Sequence, residues 1–299
     1  MLLAGFIQLR HRTDYLIKKQ LQMKKIFFLA AFSATICFAE AQQLKTPAPS
    51  PLQTVKQEFG LSAVELSYSR PAVKGRTIFG DLVPYGKVWR TGANAATTIS
   101  FGDDVTFGGQ KVPAGKYGLL TIPNAGEWTV ILTRQLNVTS PTAYKQDQDV
   151  VRVKVSATDL PFPLESFLIS FDNIRPSSMD MIIGWDKTVV IIPITTDINT
   201  KINAQISSLE GKEDFPYFAA AAYYLENGKD LNKALGWFNK ATEKDPNAYW
   251  IWHQKAKCLA KLGKKKDAVT AANKSTELAA AAKNEDYVAL NKKLLATLN

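Results

Sequence analysis

The chain has 299 residues, 46% of them hydrophobic and 21% charged, with a formal net charge of +10. These figures exclude collagen-like, disulfide-knot and disordered classes, and they leave room for one large domain or two ordinary ones. The excess of 37 basic over 27 acidic residues suggests an acidic partner only if the basic side chains cluster.

In chain order, the first feature is an address. Lys24 and Lys25 follow Met23, an apolar run fills 26–39, and Ala39-Glu40-Ala41 supplies small residues at its end. A basic region, a short apolar region and a small-residue site predict a secretory signal peptide over 23–41. The run is shorter than the roughly 20 residues that span a bilayer, so no stable transmembrane anchor is expected. Cys37 follows Ile36 where a lipid-attachment site wants a small residue, and it reads as part of the apolar run. Residues 1–22 stand before a segment with its own Met23 and read as an over-called start. Without residues 1–41 the chain keeps 31 basic and 25 acidic residues, a net charge of +6. One histidine, His253, and one cysteine, Cys258, then remain, so no internal disulfide can form.

Residues 42–51 are polar, with Pro47, Pro49 and Pro51, and read as a tether. Period-2 patterns follow. They predict strands at 53–59, 63–69, 97–101, 105–107, 116–122, 128–134, 150–156, 165–172, 179–185 and 188–194, separated by turn formers such as Gly108-Gly109 and Asn124-Ala125-Gly126. Many short strands at near-regular spacing predict an antiparallel β-sandwich or barrel over 52–196.

From Asp197, an expected N-cap, the pattern becomes helical. The expected first helix runs from 198 to about 209. An internal repeat follows: Phe218 and Trp252, Ala222 and Ala256, Leu225 and Leu259, and Ala234 and Ala268 are each 34 residues apart. Ala234, Phe238, Ala241 and Pro246 fall at small, aromatic, small and proline positions, which resembles the tetratricopeptide repeat. The second unit departs from the pattern, with Ala272 and Ala280 in place of the aromatic and the proline. Helices from 197 to 299 are therefore expected as a short hairpin array, closed by a helix at 286–298. Two repeats fall short of the roughly three that stand alone, so the array is expected to lean on the β domain. The predicted class is α+β in two domains.

Ser69-Arg70-Pro71-Ala72-Val73-Lys74-Gly75-Arg76 begins a segment that continues through Ile78-Phe79-Gly80, Leu82-Val83-Pro84-Tyr85-Gly86 and Lys87-Val88-Trp89-Arg90-Thr91-Gly92-Ala93-Asn94. With Val112-Pro113-Ala114-Gly115-Lys116-Tyr117, it resembles the domain of unknown function 2911 family, over about 50–194. The resemblance implies an exported bacterial envelope protein with a β-rich domain, often followed by helical repeats. It implies no activity.

The residues themselves offer a candidate site. The connection at 70–96 is long for a structureless loop, and such loops are often functional. It carries Arg70, Lys74, Arg76, Lys87 and Arg90 against one acid, Asp81. Converging guanidinium groups would hold an anion, with Asn94, Lys116 and Tyr117 beside them. Tyr85 and Trp89 offer a stacking face for a sugar or an aromatic ligand. The competing reading is structural: glycines shaping the loop, Trp89 in the core and Arg90 capping carbonyls. On the helices, Tyr223, Asn227, Trp250, His253 and Lys257 are expected on a concave, peptide-binding face, with Trp252 in the core.

The inventory limits the chemistry. The β half has no His and no Cys, which excludes a Ser-His-Asp or Cys-His centre and a His/Cys zinc site there. No metal and no cofactor is expected. Glu65, Asp81, Asp103, Asp104, Glu127, Asp172, Asp180 and Asp186 leave a carboxylate pair open in principle. Basic and acidic residues number 15 and 13 in the β half and 16 and 12 in the helical half, so no nucleic-acid partner is expected. The expected function is an exported binding or scaffold protein of the periplasm or cell envelope. Its β domain would offer an anion or carbohydrate site, and its repeats would contact an envelope protein or peptide. The alternative is a carboxylate-dependent enzyme acting on a carbohydrate or anionic substrate.

Overall fold

The computed structural model describes residues 18–22, 44 and 46–298. Residues 18–22 are helical. The expected signal peptide at 23–41 and residues 1–17 of the expected over-called start lie outside the described residues.

Nine strands form one antiparallel sheet: β1 (Leu52–Phe59), β2 (Ser62–Ser69), β3 (Thr98–Phe101), β4 (Val105–Phe107), β5 (Gln110–Val112), β6 (Gly115–Ile122), β7 (Glu127–Thr133), β8 (Asp149–Asp172) and β9 (Ser178–Thr195). Their order is β1-β2-β3-β6-β7-β8-β9-β4-β5. Alternation sets the inward face. Val64, Leu66 and Tyr68 of β2 and Trp128, Val130 and Leu132 of β7 enter one core with Met181, Ile183 and Trp185 of β9. The opposite face of β6 and β7 is covered too: Leu120 and Ile131 pack with Val138. Gly118 of β6 permits a close approach there, because a Cβ at this position would stand 2.1 Å from the carbonyl oxygen of Gln135.

Two expected strand pairs are single long strands. β8 pairs with β7 through residue 156 and with β9 from residue 157, so it belongs to both halves of the sheet. Its register with β9 shifts between Asp159 and Leu168. The sequence there is Asp159-Leu160-Pro161-Phe162-Pro163-Leu164, and two prolines that cannot donate to the ladder bend the strand without ending it. The chain after β2 returns to this bend. Val73 N–H donates to the Glu165 carbonyl at 2.7 Å and Phe167 N–H to the Pro71 carbonyl at 2.9 Å, which joins the β2 side to β8 around the core. The Tyr68 hydroxyl completes the seam. It donates to the Ile169 carbonyl at 2.9 Å and accepts from the Ile169 N–H at 3.0 Å.

Six helices follow: α1 (Ile198–Leu209), α2 (Tyr217–Glu226), α3 (Leu231–Lys244), α4 (Tyr249–Lys261), α5 (Lys265–Ala281) and α6 (Glu285–Leu298). Asp197 caps α1, its carboxylate accepting from Thr200 N–H at 3.1 Å. Ala234, Phe238 and Ala241 are buried where α3 meets its neighbours. The array completes itself from its own flanks. Ile206 of α1 enters the core of α2–α4, and Leu298 of α6 enters the core of α4 and α5. Each hydrophobic cluster draws its members from one half of the chain, which departs from the expected leaning on the β domain. The halves meet at a small joint. Lys201 pairs with Asp103, and the Thr196 hydroxyl donates to the Asp104 carbonyl. Gly60, at φ 63° in the β1–β2 turn, admits the joint: its Cβ would stand 2.7 Å from Thr196 Cγ2.

Candidate functional site

The connection at 70–96 is packed rather than loose. Ile78 and Val83 are buried, and Trp89 bridges to Thr121 of β6. The Trp89 ring stacks on Trp185 at 5.8 Å and meets Phe79, Trp128 and Phe167 edge-on, while its indole N–H donates to the Gly92 carbonyl at 3.0 Å. Trp89 is thus part of the core, and the stacking face expected for a ligand is largely taken by Trp185.

One cavity opens beside it, about 270 Å³ in volume, between 82–90 and 139–141. Arg90 and Lys87 line it with the apolar Leu82, Pro84, Val88 and Pro141. Arg90 Nη1 donates to the Thr139 carbonyl, while its Nε is buried with no hydrogen-bond partner.

The three arginines do not converge on one point. Arg70 Nε donates to the Phe167 carbonyl at 2.9 Å, and Arg76 donates to the carbonyls of Val73 and Ala72. Both serve the seam with β8, as does Lys74, at φ 49°, whose backbone N–H meets the Glu165 carboxylate at 3.0 Å. Arg90 is engaged at Thr139 instead. Tyr85 is exposed and stands against Gly80, Asn94 is exposed with φ 56°, and Lys116 is exposed on β6 opposite Ser100. Tyr117 is buried, its hydroxyl donating to the Pro113 carbonyl at 2.8 Å, and burial raises its pKa. Thr139 and Pro141 were not legible as cavity residues, since nothing in their own segment marks them.

On the helices, Trp250 is 38% exposed and Asn227 is exposed. Lys257 is half-buried, and Trp252 packs on the inner cluster with its indole N–H on the Pro246 carbonyl. Tyr223 is tied to α1 through Asn199. His253 is not open on a groove. It is 8% exposed under α6, with Nδ1 2.7 Å from Asn291 Oδ1 and its ring edge-on to Tyr287. Asn291 Nδ2 donates to Ser275 Oγ at 2.7 Å, which leaves Oδ1 to accept and places the ring proton on Nδ1. Burial lowers the His253 pKa; the Asn291 hydrogen bond offsets part of this, and the charge of Lys257 adds to the lowering.

Residues 50–194 match the family described as Protein of unknown function (DUF2911), and residues 237–270 match a Tetratricopeptide repeat. The chain carries a DUF2911 domain with C-terminal tetratricopeptide-like repeats. A search of the curated proteins finds no match, nor does a search of the solved structures. Within the DUF2911 domain, several carboxylates are held in structural contacts. Glu65 pairs with Lys56 and Glu127 with Lys154. Asp104 accepts from Ala114 N–H and Asp180 from Asn173 Nδ2. Among the described residues, no three His, Cys, Asp or Glu side chains gather as a metal site. A buried carboxylate, that of Asp149, lies against Arg152 and Tyr144 rather than against Arg70, Arg76 or Arg90.

Proposed function

We propose that this is an exported scaffold protein of the cell envelope whose helical repeats dock a protein partner along the outer faces of α2 and α4. The observation that carries the reading is the exposed Trp250 on α4, on a repeat array whose core is separate from that of the DUF2911 domain. A large aromatic left in solvent on a repeat face is the kind of residue that anchors a partner. Lys257, two turns further along α4, and Asn227, at the C-terminal end of α2, add polar groups on the same two helices. Export rests on the 23–41 pattern, and no described helix is long and apolar enough to cross a membrane.

A photo-crosslinking residue placed at Trp250 or Asn227 tests this in living cells. The expected result is one adduct of discrete mass in the envelope fraction, absent when the same residue stands at Lys56 on β1. Identical adducts at Lys56, no adduct at either helical position, or recovery of the chain in the cytosol would overturn it.

A further inference from the structure

We propose that the cavity between 82–90 and 139–141 binds a small organic carboxylate with an apolar body. This goes beyond partner docking and does not depend on it. Two cations, Arg90 and Lys87, line the cavity, and no acidic residue does. Neither forms an ion pair among the described residues. Arg90 is held in place by its bond to the Thr139 carbonyl, yet its Nε is buried with no acceptor. Buried donors in folded proteins nearly always have a partner, and a ligand oxygen is an acceptor that satisfies a guanidinium. A planar carboxylate matches its fork.

The walls decide the rest of the ligand. Leu82, Pro84, Val88 and Pro141 offer apolar surface beside the charges. A bare inorganic anion would lose hydration against those walls and gain nothing, whereas an aliphatic body buries surface there. The volume, about 270 Å³, lies just below the range of ligand pockets, which begins at about 300 Å³. It suits a ligand of a few carbons. Such a carboxylate exists as a free acid or as the end of a peptide chain.

Calorimetric titration of the purified chain with hexanoate, hexanamide, acetate, inorganic phosphate and N-acetyl-leucine tests the proposal. Hexanoate is expected to bind and to perturb the fluorescence of Trp89, which lines the cavity. Hexanamide, acetate and phosphate are expected to bind at least tenfold more weakly. N-acetyl-leucine separates the sources: affinity equal to that of hexanoate supports a chain end, and weaker affinity supports a free acid. Arg90→Lys is expected to weaken hexanoate about tenfold, as loss of a charge-assisted fork does. Because Arg90 also holds Thr139, the exposed Lys87 provides the second variant: Lys87→Gln should weaken hexanoate several-fold with the melting temperature unchanged. Equal binding of hexanoate and hexanamide, equal binding of hexanoate and phosphate, or no binding of any probe would overturn the proposal.

Discussion

The Asp149 carboxylate accepts from Tyr144 at 2.5 Å and from Arg152 at 2.8 Å, both at Oδ2, while Oδ1 is buried without a partner. Burial, and then the neighbouring carboxylate, push the Tyr144 hydroxyl up to about 12, so it stays a donor throughout the physiological range. The Asp149 side chain is 7% exposed and that of Arg152 is 32%, so the pair is shielded on one side. This cluster pins residues 134–148 against β8. Removing the carboxylate leaves Arg152 Nη1 with only its 2.5 Å bond to the Tyr144 oxygen and leaves the Tyr144 proton without its acceptor, and hydrogen bonds to charged groups contribute about 1.5–3 kcal/mol. Asp149→Ala is therefore expected to lower stability by about 2 kcal/mol in urea titration. A loss below about 0.5 kcal/mol, the range of ordinary surface changes, would show that the cluster holds nothing. The sequence did not show this residue at work. Tyr144 lies in a segment with neither helix nor strand periodicity, and the alternation of 150–156 marks Arg152 only as an outward-facing position.

At the scale of elements, periodicity was legible wherever one face is buried. The alternation of β2 and β7 and the 34-residue repeat both mark inward faces that the structure fills. The Asp197 cap was legible because N-capping is local. What the sequence hid were relations between segments. The expected strands stop at 156 and restart at 165, yet β8 runs on through Pro161 and Pro163 by changing its register. His253 read as a groove residue because its own helix cannot show that α6 covers it. The chain His253–Asn291–Ser275 then joins α4, α6 and α5, ending on the Tyr249 carbonyl at 2.7 Å. It has a pH consequence. The folded pKa of His253 is lowered, first by burial, so below the unfolded value of about 6.5 the unfolded chain binds more protons. The stabilisation is complete above that value and declines as pH falls through it toward the folded pKa. Between pH 7.5 and 5 the melting temperature of the parent is expected to fall more steeply than that of His253→Gln. Parallel slopes would place the acid sensitivity elsewhere.

The whole molecule couples two cores through a small joint. The DUF2911 core and the helical clusters share no buried residue. The Lys201–Asp103 pair across the joint has side chains 47% and 20% exposed, and exposed pairs contribute only about 0–1 kcal/mol. That is too little to make the halves unfold as one when each buries its own core. Calorimetry is therefore expected to show two transitions, with a van't Hoff enthalpy below the calorimetric one. A core substitution identifies them. Phe238 is fully buried in α3, and truncating a buried Phe costs about 3–5 kcal/mol. Phe238→Ala should lower one transition by many degrees and leave the other in place. If both moved together, the joint near Gly60 and Thr196 would have to carry more coupling than one ion pair, one hydrogen bond and the packing of Ile198 beside Gly60 supply. The same separation would let a partner load the helical face without straining the cavity beside Arg90, so occupancy of one is expected to leave the affinity of the other unchanged.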